Sequence, residues 1–259
     1  MFDCDGPGFI GMVHLLPLPG SPRWGGSMER VLDQALSDAH TLVEGGCDAL
    51  LVENMGDSPW LKGAVDPWTV AAMTQAVERV VALGLPTGLQ VLAAANRQAL
   101  GIAAVTGARF IRVEGFAYAH VADEGWIDAC AGPLLRDRSQ LGAPVAIWAD
   151  VQKKHSAHAI TADLTLAELA HGTAFAGADV LIATGSTTGA PTNPAHLEAM
   201  KTAEIPVAIG SGVTPDRIPA LAAADALIVG SWLKQEGDWR NPVQLSRVRE
   251  LRAAIDGLG

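Results

Sequence analysis

Residues 45–54 read Gly45-Gly46-Cys47-Asp48-Ala49-Leu50-Leu51-Val52-Glu53-Asn54. Two glycines end what precedes, a short apolar run follows that suits a strand, and a carboxylate closes it. Upstream, Met28, Val31, Leu32, Ala35, Ala39, Leu42 and Val43 recur at spacings of three and four. That spacing gives a helix one apolar stripe to lay against a sheet. A helix that stops at glycine and returns at once to an apolar strand is one step of a β/α repeat. The step recurs along the chain, with strands predicted at 9–13, 49–53, 87–92, 110–113, 145–150, 180–184, 207–210 and 226–229. The last helix, 243–255, carries Val243, Leu245, Val248, Leu251 and Ile255 on one face. Eight such units in one chain predict an α/β fold, a single (β/α)8 TIM barrel forming one domain over residues 1–259. A doubly wound open sheet has the same alternation, but Gly185-Ser186-Thr187-Thr188-Gly189 lacks the spacing and the downstream acid of a dinucleotide fingerprint.

The two ends of this barrel differ. Helices return to strands through brief segments at 45–48, 83–86, 106–109, 141–144, 176–179 and 204–206, most of them with a glycine. The segments leaving the strands, at 15–27, 54–66, 115–125, 152–164 and 185–193, are longer and richer in polar residues. TIM-barrel active sites sit at the C-terminal ends of the strands, so these loops are expected to form the functional face.

Composition narrows the function. The 259 residues are 49% apolar and 18% charged, with a formal charge of -10. Such an acidic chain repels nucleic-acid backbones and anionic lipid, so neither nucleic acid nor membrane is an expected partner. No apolar run approaches the ~20 residues of a membrane span, and the N-terminus shows no basic and apolar leader, which predicts a cytoplasmic protein. Cys4, Cys47 and Cys130 are too few and too scattered for a disulfide framework or a zinc site.

Side chains alternate along a strand, so a polar residue in phase with the barrel interior points into its mouth. His14 is in phase with Ile10 and Met12, Glu53 with Ala49 and Leu51, Arg112 and Glu114 with Phe110, and Asp150 with Ala146 and Trp148; Gln90 lies within 88–92 of the third strand. Desolvating a carboxylate costs several kcal/mol, and three converging on one mouth need a reason. Glu53 and Asp150 are the expected acid and base, with His14 sharing proton transfer; burial beside another acid raises a carboxyl's pKa towards neutrality. Arg112 and Glu114 either neutralise each other or contact substrate. Asn54, Gln90, Arg112, Glu114, Lys153 and Thr184 are the expected substrate contacts. His14, Glu53, Asp150 and His155 resemble a metal set, but their spacing is not diagnostic, and neither metal nor cofactor is expected.

The loop Asp150-Val151-Gln152-Lys153-Lys154-His155 concentrates scarce basic residues, which suits a small anionic substrate. A Schiff-base lysine there is an alternative, yet adjacent lysines in a polar loop are usually solvated, so no covalent chemistry is expected. Gly185 and Ser186 follow strand six, Gly210, Ser211 and Gly212 strand seven, and Gly230 and Ser231 strand eight. Glycines admit an anion to the backbone, and the loops after strands seven and eight with a short extra helix, here 231–235, are a recurrent phosphate site in TIM barrels. Trp24 and Trp60 lie in the long loops, available to stack on a sugar or base or to pack the rim. Apolar helices such as 218–226 leave self-association into a homo-oligomer open.

The stretch Gly11-Met12-Val13-His14-Leu15-Leu16-Pro17-Leu18-Pro19-Gly20-Ser21-Pro22 resembles the BtpA/SgcQ family, which shares a His-Leu-x-x-Leu-Pro-Gly motif after its first strand. The likeness continues through 48–54, 110–112 and 184–189 and covers essentially the whole chain. It implies a barrel of the ribulose-phosphate-binding type. One branch of the family is named for photosystem I biogenesis and another accompanies sugar-utilisation genes, and neither label states a reaction. Taken with the residues, the expectation is an isomerase, lyase or N-glycosidic hydrolase acting on a phosphorylated sugar or on a sugar-containing nucleotide or nucleoside. The alternative is a non-catalytic assembly or stability factor.

Overall fold

The computed structural model describes residues 6–185 and 193–258. Eight strands, β1 (Gly8–His14), β2 (Ala49–Glu53), β3 (Thr87–Gln90), β4 (Phe110–Val113), β5 (Ala146–Asp150), β6 (Val180–Ala183), β7 (Val207–Ile209) and β8 (Ala226–Val229), pair in chain order. All pairs are parallel, and β8 returns beside β1 to close the barrel. Between them run α1 (Met28–Glu44), α2 (Pro67–Val81), α3 (Asn96–Thr106), α4 (Ala131–Leu141), α5 (Leu166–Phe175), α6 (Pro194–Lys201) and α7 (Ile218–Leu221), with α8 (Leu245–Asp256) after β8. The strands deviate from the sequence reading by no more than two residues at an end.

Two apolar cores follow from the alternation of side chains. Outward-facing residues such as Phe9, Val13, Leu50, Val52, Leu89 and Ile111 pack beneath the helices. Inward-facing Ile10, Met12, Ala49, Leu51, Phe110, Trp148, Val180, Ile182, Ala208, Ala226 and Ile228 fill the barrel itself. The rings of Phe110 and Trp148 stack with centroids 4.4 Å apart. Their neighbour on β3 is Gly88, where a Cβ would lie 2.3 Å from the Phe110 ring, so glycine there makes room for the stack. Extending each inward series by one step beyond the apolar plug reaches His14, Glu53, Gln90, Arg112 and Asp150. The register sets His14 beside Glu53 and Glu53 beside Gln90.

Three features differ from the sequence reading. The loops after β4 and β5 are not irregular: His120–Ala122, Gly125–Ile127 and Ser156–Ala157 form a small antiparallel sheet across the mouth. Strands of two or three residues are too short to register as periodicity. Residues 218–226 are not one apolar helix. Only Ile218–Leu221 is helical, Ile218 and Leu221 are buried within the chain, and Ala226 already belongs to β8. The extra helix after β8 is a pair of 3-10 turns, Ser231–Leu233 and Gln235–Gly237. The first is anchored below by Lys234, whose Nζ donates to Asp38 Oδ2 at 2.5 Å while Asp38 Oδ1 accepts the Val243 N–H.

Candidate active site

A cavity of about 280 Å³ opens at the C-terminal end of the barrel. Its floor is the top of the inward series: Met12, His14, Glu53, Gln90, Arg112 and Asp150. Glu114, Glu124, Lys153 and Lys154 form one side, and Gly210, Ser211, Gly212, Gly230 and Ser231 another.

Each charge on the floor is shaped by its neighbours. Arg112 forks onto Asp150, with Nε to Oδ2 at 3.0 Å and Nη2 to Oδ1 at 2.9 Å, and both side chains are buried. Burial opposes the guanidinium's charge, but Asp150, together with Glu53 and Glu114, outweighs it and raises its pKa further. Arg112 therefore pairs with Asp150, not with Glu114. Glu114 turns one oxygen to the Ala94 N–H at 3.0 Å, and burial, opposed by Lys153, pushes its pKa up to about 7. Glu53 is also pushed up, by burial first, against the pull of Arg112 and Lys154. His14 Nε2 stands 3.6 Å from Glu53 Oε2. Burial, helped by the Lys234 charge, lowers the His14 pKa to about 3, so the imidazole is neutral at pH 7. The cavity thus combines one fixed cation–carboxylate pair, one neutral imidazole and two carboxyls, Glu53 and Glu114, with raised pKa values.

The two adjacent lysines are not alike. Lys153 is buried and donates to Glu124 Oε2 at 2.7 Å, with Asp123 at 3.6 Å. Lys154 reaches across the mouth and donates to the Gly210 carbonyl at 3.1 Å. Burial, then the Arg112 charge, lowers its pKa to about 8.

Not every expected residue reaches the cavity. Asn54 Oδ1 accepts the Leu92 N–H at 2.7 Å and its amide donates to Asp57 Oδ2 at 3.0 Å. Asp57 in turn accepts the Leu18 N–H at 2.7 Å. Asn54 is thereby committed to tying together the loops after β1, β2 and β3, and it does not line the cavity. Thr184 Oγ1 donates to the Gln152 carbonyl, and the Gly185 N–H donates to Ser211 Oγ at 2.6 Å, so both act behind the wall. Ser186 lies outside the described residues. Gln90 does line the cavity, and among the described residues its buried Oε1 has no hydrogen-bond partner. Trp60 lines the cavity while Trp24 packs on the core. Glu124 was not singled out from the sequence. It arrives on the hairpin of the small sheet, whose presence periodicity did not reveal. Among the described residues, no three His, Cys, Asp or Glu side chains gather to hold a metal ion. No helix among those residues is long and apolar enough to cross a membrane.

Comparison with known proteins supplies a family. The model of the BtpA family matches residues 7–257. An uncharacterized mitochondrial protein of Caenorhabditis elegans is 41% identical, covering 97% of this chain and 94% of its own length. The photosystem I biogenesis protein BtpA of Synechocystis is 42% identical, covering 96% and 88%. Among solved structures, orotidine 5'-monophosphate decarboxylase of Methanocaldococcus jannaschii, complexed with the inhibitor BMP, superposes with a TM-score of 0.61. It covers 97% of this chain and 100% of its own at 16% identity, a likeness of fold. The mitochondrial relative leaves the cytoplasmic reading of the N-terminus as an expectation.

Proposed function

This chain belongs to the BtpA family, and on that footing we propose that it is an enzyme acting on a small phosphorylated sugar, or a sugar-containing nucleotide or nucleoside, by carboxylate acid/base chemistry. One observation carries the reading. A wall of glycines and serines, Gly210, Ser211, Gly212, Gly230 and Ser231, shares the cavity with buried Glu53 and Glu114, whose pKa values are raised. Small residues at the ends of β7 and β8 let a phosphate approach the backbone, and Lys154 stands beside them with a compensating charge. Glu53 moves the proton. Neutral His14 polarises a hydroxyl or carbonyl without competing for it. Arg112, fixed in direction by Asp150, and Gln90, with its unpartnered amide oxygen, orient the sugar hydroxyls. Asp150, expected from the sequence as the second acid/base group, is held by both oxygens in its pair with Arg112, so Glu114 takes that place beside Glu53 in this reading, which suits aldose–ketose isomerisation, retro-aldol cleavage or N-glycosidic hydrolysis.

The test is a thermal-shift titration with inorganic phosphate, ribose 5-phosphate, nucleotides and unphosphorylated nucleosides, on the wild type and on Ser211→Asp combined with Ser231→Asp. A ligand at 100 times its Kd stabilises by about 2.7 kcal/mol. Stabilisation by phosphorylated compounds in the wild type alone supports the phosphate wall, and an equal response of both proteins removes it. The name of the Synechocystis relative favours a second reading, an assembly factor that uses the barrel for docking. Under that reading Glu53→Gln leaves function intact, whereas the enzyme reading requires turnover to be lost with the fold unchanged.

A further inference from the structure

Of five lysines, four are accounted for by their surroundings. Lys62 is exposed, Lys201 pairs with Asp225, Lys153 with Glu124, and Lys234 with Asp38. Lys154 is different. Its Nζ lies in the cavity, held by the Gly210 carbonyl, and among the described residues no carboxylate comes within ion-pair distance of it. An amine that only balanced the acids of the mouth would sit on one of them, as Lys153 does. A main-chain carbonyl instead fixes its direction and leaves a lone pair available once the proton is gone. Glu53 and Glu114, whose pKa values are raised, line the same cavity as Lys154 and are the groups in it suited to give and take protons.

We propose that Lys154 is a covalent catalytic residue that condenses with the carbonyl carbon of an aldehyde or ketone substrate to form a Schiff base. This deepens the acid/base reading and rests on it for the proton carriers. The neutral amine attacks the carbonyl carbon, and a C–N bond forms as the π pair moves to oxygen, which takes a proton from the Glu114 carboxyl. Nitrogen gives a proton to the Glu53 carboxylate. That proton passes to the carbinolamine hydroxyl, which departs as water, leaving a protonated imine on Lys154. Amine, carbonyl and the Glu114 proton become protonated imine and water, Glu114 is left as a carboxylate, and there is no redox change. Among the reactions open to this cavity, the imine selects those that develop carbanion character beside a carbonyl, aldol cleavage and ketose isomerisation, because its positive nitrogen draws off the electron pair.

The experiment is reductive trapping. The protein is incubated with dihydroxyacetone phosphate, unphosphorylated dihydroxyacetone or glyoxylate, reduced with sodium borohydride, and analysed by intact mass and peptide mapping. Expected is one equivalent of probe on Lys154, more extensive as pH rises through about 8, where the amine loses its proton. Lys154→Arg, which keeps the charge but cannot form an imine, loses the adduct while melting within a few degrees of the wild type. A variant that fails to fold is replaced by Lys153→Arg, which must retain the adduct on Lys154. No adduct with any probe, or an adduct spread over Lys62 and Lys201, overturns the proposal. Outcomes for the two readings separate. Stabilisation by phosphate without trapping removes the Schiff base and leaves the phosphate wall, whereas trapping by all three probes alike without phosphate stabilisation does the reverse.

Discussion

Replacing Arg112 by methionine tests the electrostatic account of the barrel floor. The substitution keeps an unbranched side chain of similar reach but strips the guanidinium from a bidentate bond at 2.9 and 3.0 Å to a carboxylate that is itself buried. Asp150 is left uncompensated, with Glu53 and Glu114 in the same cavity. Removing one member of a buried ion pair costs about 3 to 5 kcal/mol, mostly through the charge that remains. With an unfolding entropy of about 2.1 cal/mol/K per residue over the whole chain, that lowers Tm by roughly 5 to 9 °C. The companion Arg112→Met with Asp150→Leu removes both charges, so it is expected to recover at least half of the loss, although Glu53 and Glu114 still lack their cation. Calorimetric melts of wild type, single and double variants at pH 7.5 provide the measurement. A single variant within about 2 °C of wild type refutes the reasoning, as does a double variant no more stable than the single, because either result means Arg112 and Asp150 are not coupled.

Four further predictions concern separate parts of the molecule. In Glu114, a pKa raised to about 7 from its ordinary 4.5 means the folded state holds a proton that the unfolded chain has released, so this group lowers stability as pH rises through that interval. Glu114→Gln is therefore expected to gain stability relative to wild type between pH 4.5 and 7.5, by up to about 3 kcal/mol, and a difference in Tm that does not vary with pH counts against it. Gly88→Ala drives a methyl into the Phe110 ring and should cost about 1 to 3 kcal/mol in denaturant unfolding, and an unchanged midpoint would mean the ring has room to move. Asn54→Ala removes the hinge between three loops. It is expected to weaken ligand binding and to increase hydrogen exchange at Leu18 and Leu92, whereas exchange confined to residue 54 contradicts that role. Glu53→Gln should abolish turnover on an identified substrate without lowering Tm, since burial raises the Glu53 pKa as it does that of Glu114, and retained turnover withdraws Glu53 from the chemistry.

The barrel was legible because its signals are local. Glycine ends a helix, an apolar run begins a strand, and alternation along that strand decides which side chains face inward. The same alternation placed His14, Glu53, Gln90, Arg112 and Asp150 around one cavity, since a strand gives each inward residue a fixed direction. What the sequence did not reveal lies where direction depends on loops. Asn54 follows Glu53 by one residue and so faces away from the barrel axis, into hydrogen bonds with Asp57 and Leu92 that no periodicity encodes. Lys153 and Lys154 look interchangeable in sequence, but the small sheet over the mouth gives one a carboxylate partner and leaves the other to a backbone carbonyl.

Pairing, more than composition, decides what the cavity can do. Four acids and three basic side chains line it, but Arg112 is matched to Asp150 and Lys153 to Glu124. Those two pairs fix geometry and carry no net charge, which leaves Glu53, Glu114 and Lys154 as the carboxyls and amine of the cavity outside an ion pair with each other. A phosphate seated against Gly212 and Ser231 would bring negative charge beside Lys154 and favour its ammonium, while drawing on the same proton that Glu53 or Glu114 would otherwise hold. Substrate binding and proton position are coupled by that arrangement: the anion that orients the ligand also resists deprotonation of the amine. A carbonyl substrate whose phosphate lies several bonds from the reacting carbon escapes the conflict, because the anion can rest on the glycine wall while the carbonyl reaches the lysine. If both proposals hold, the expected substrate carries its phosphate at one end and its carbonyl towards the other.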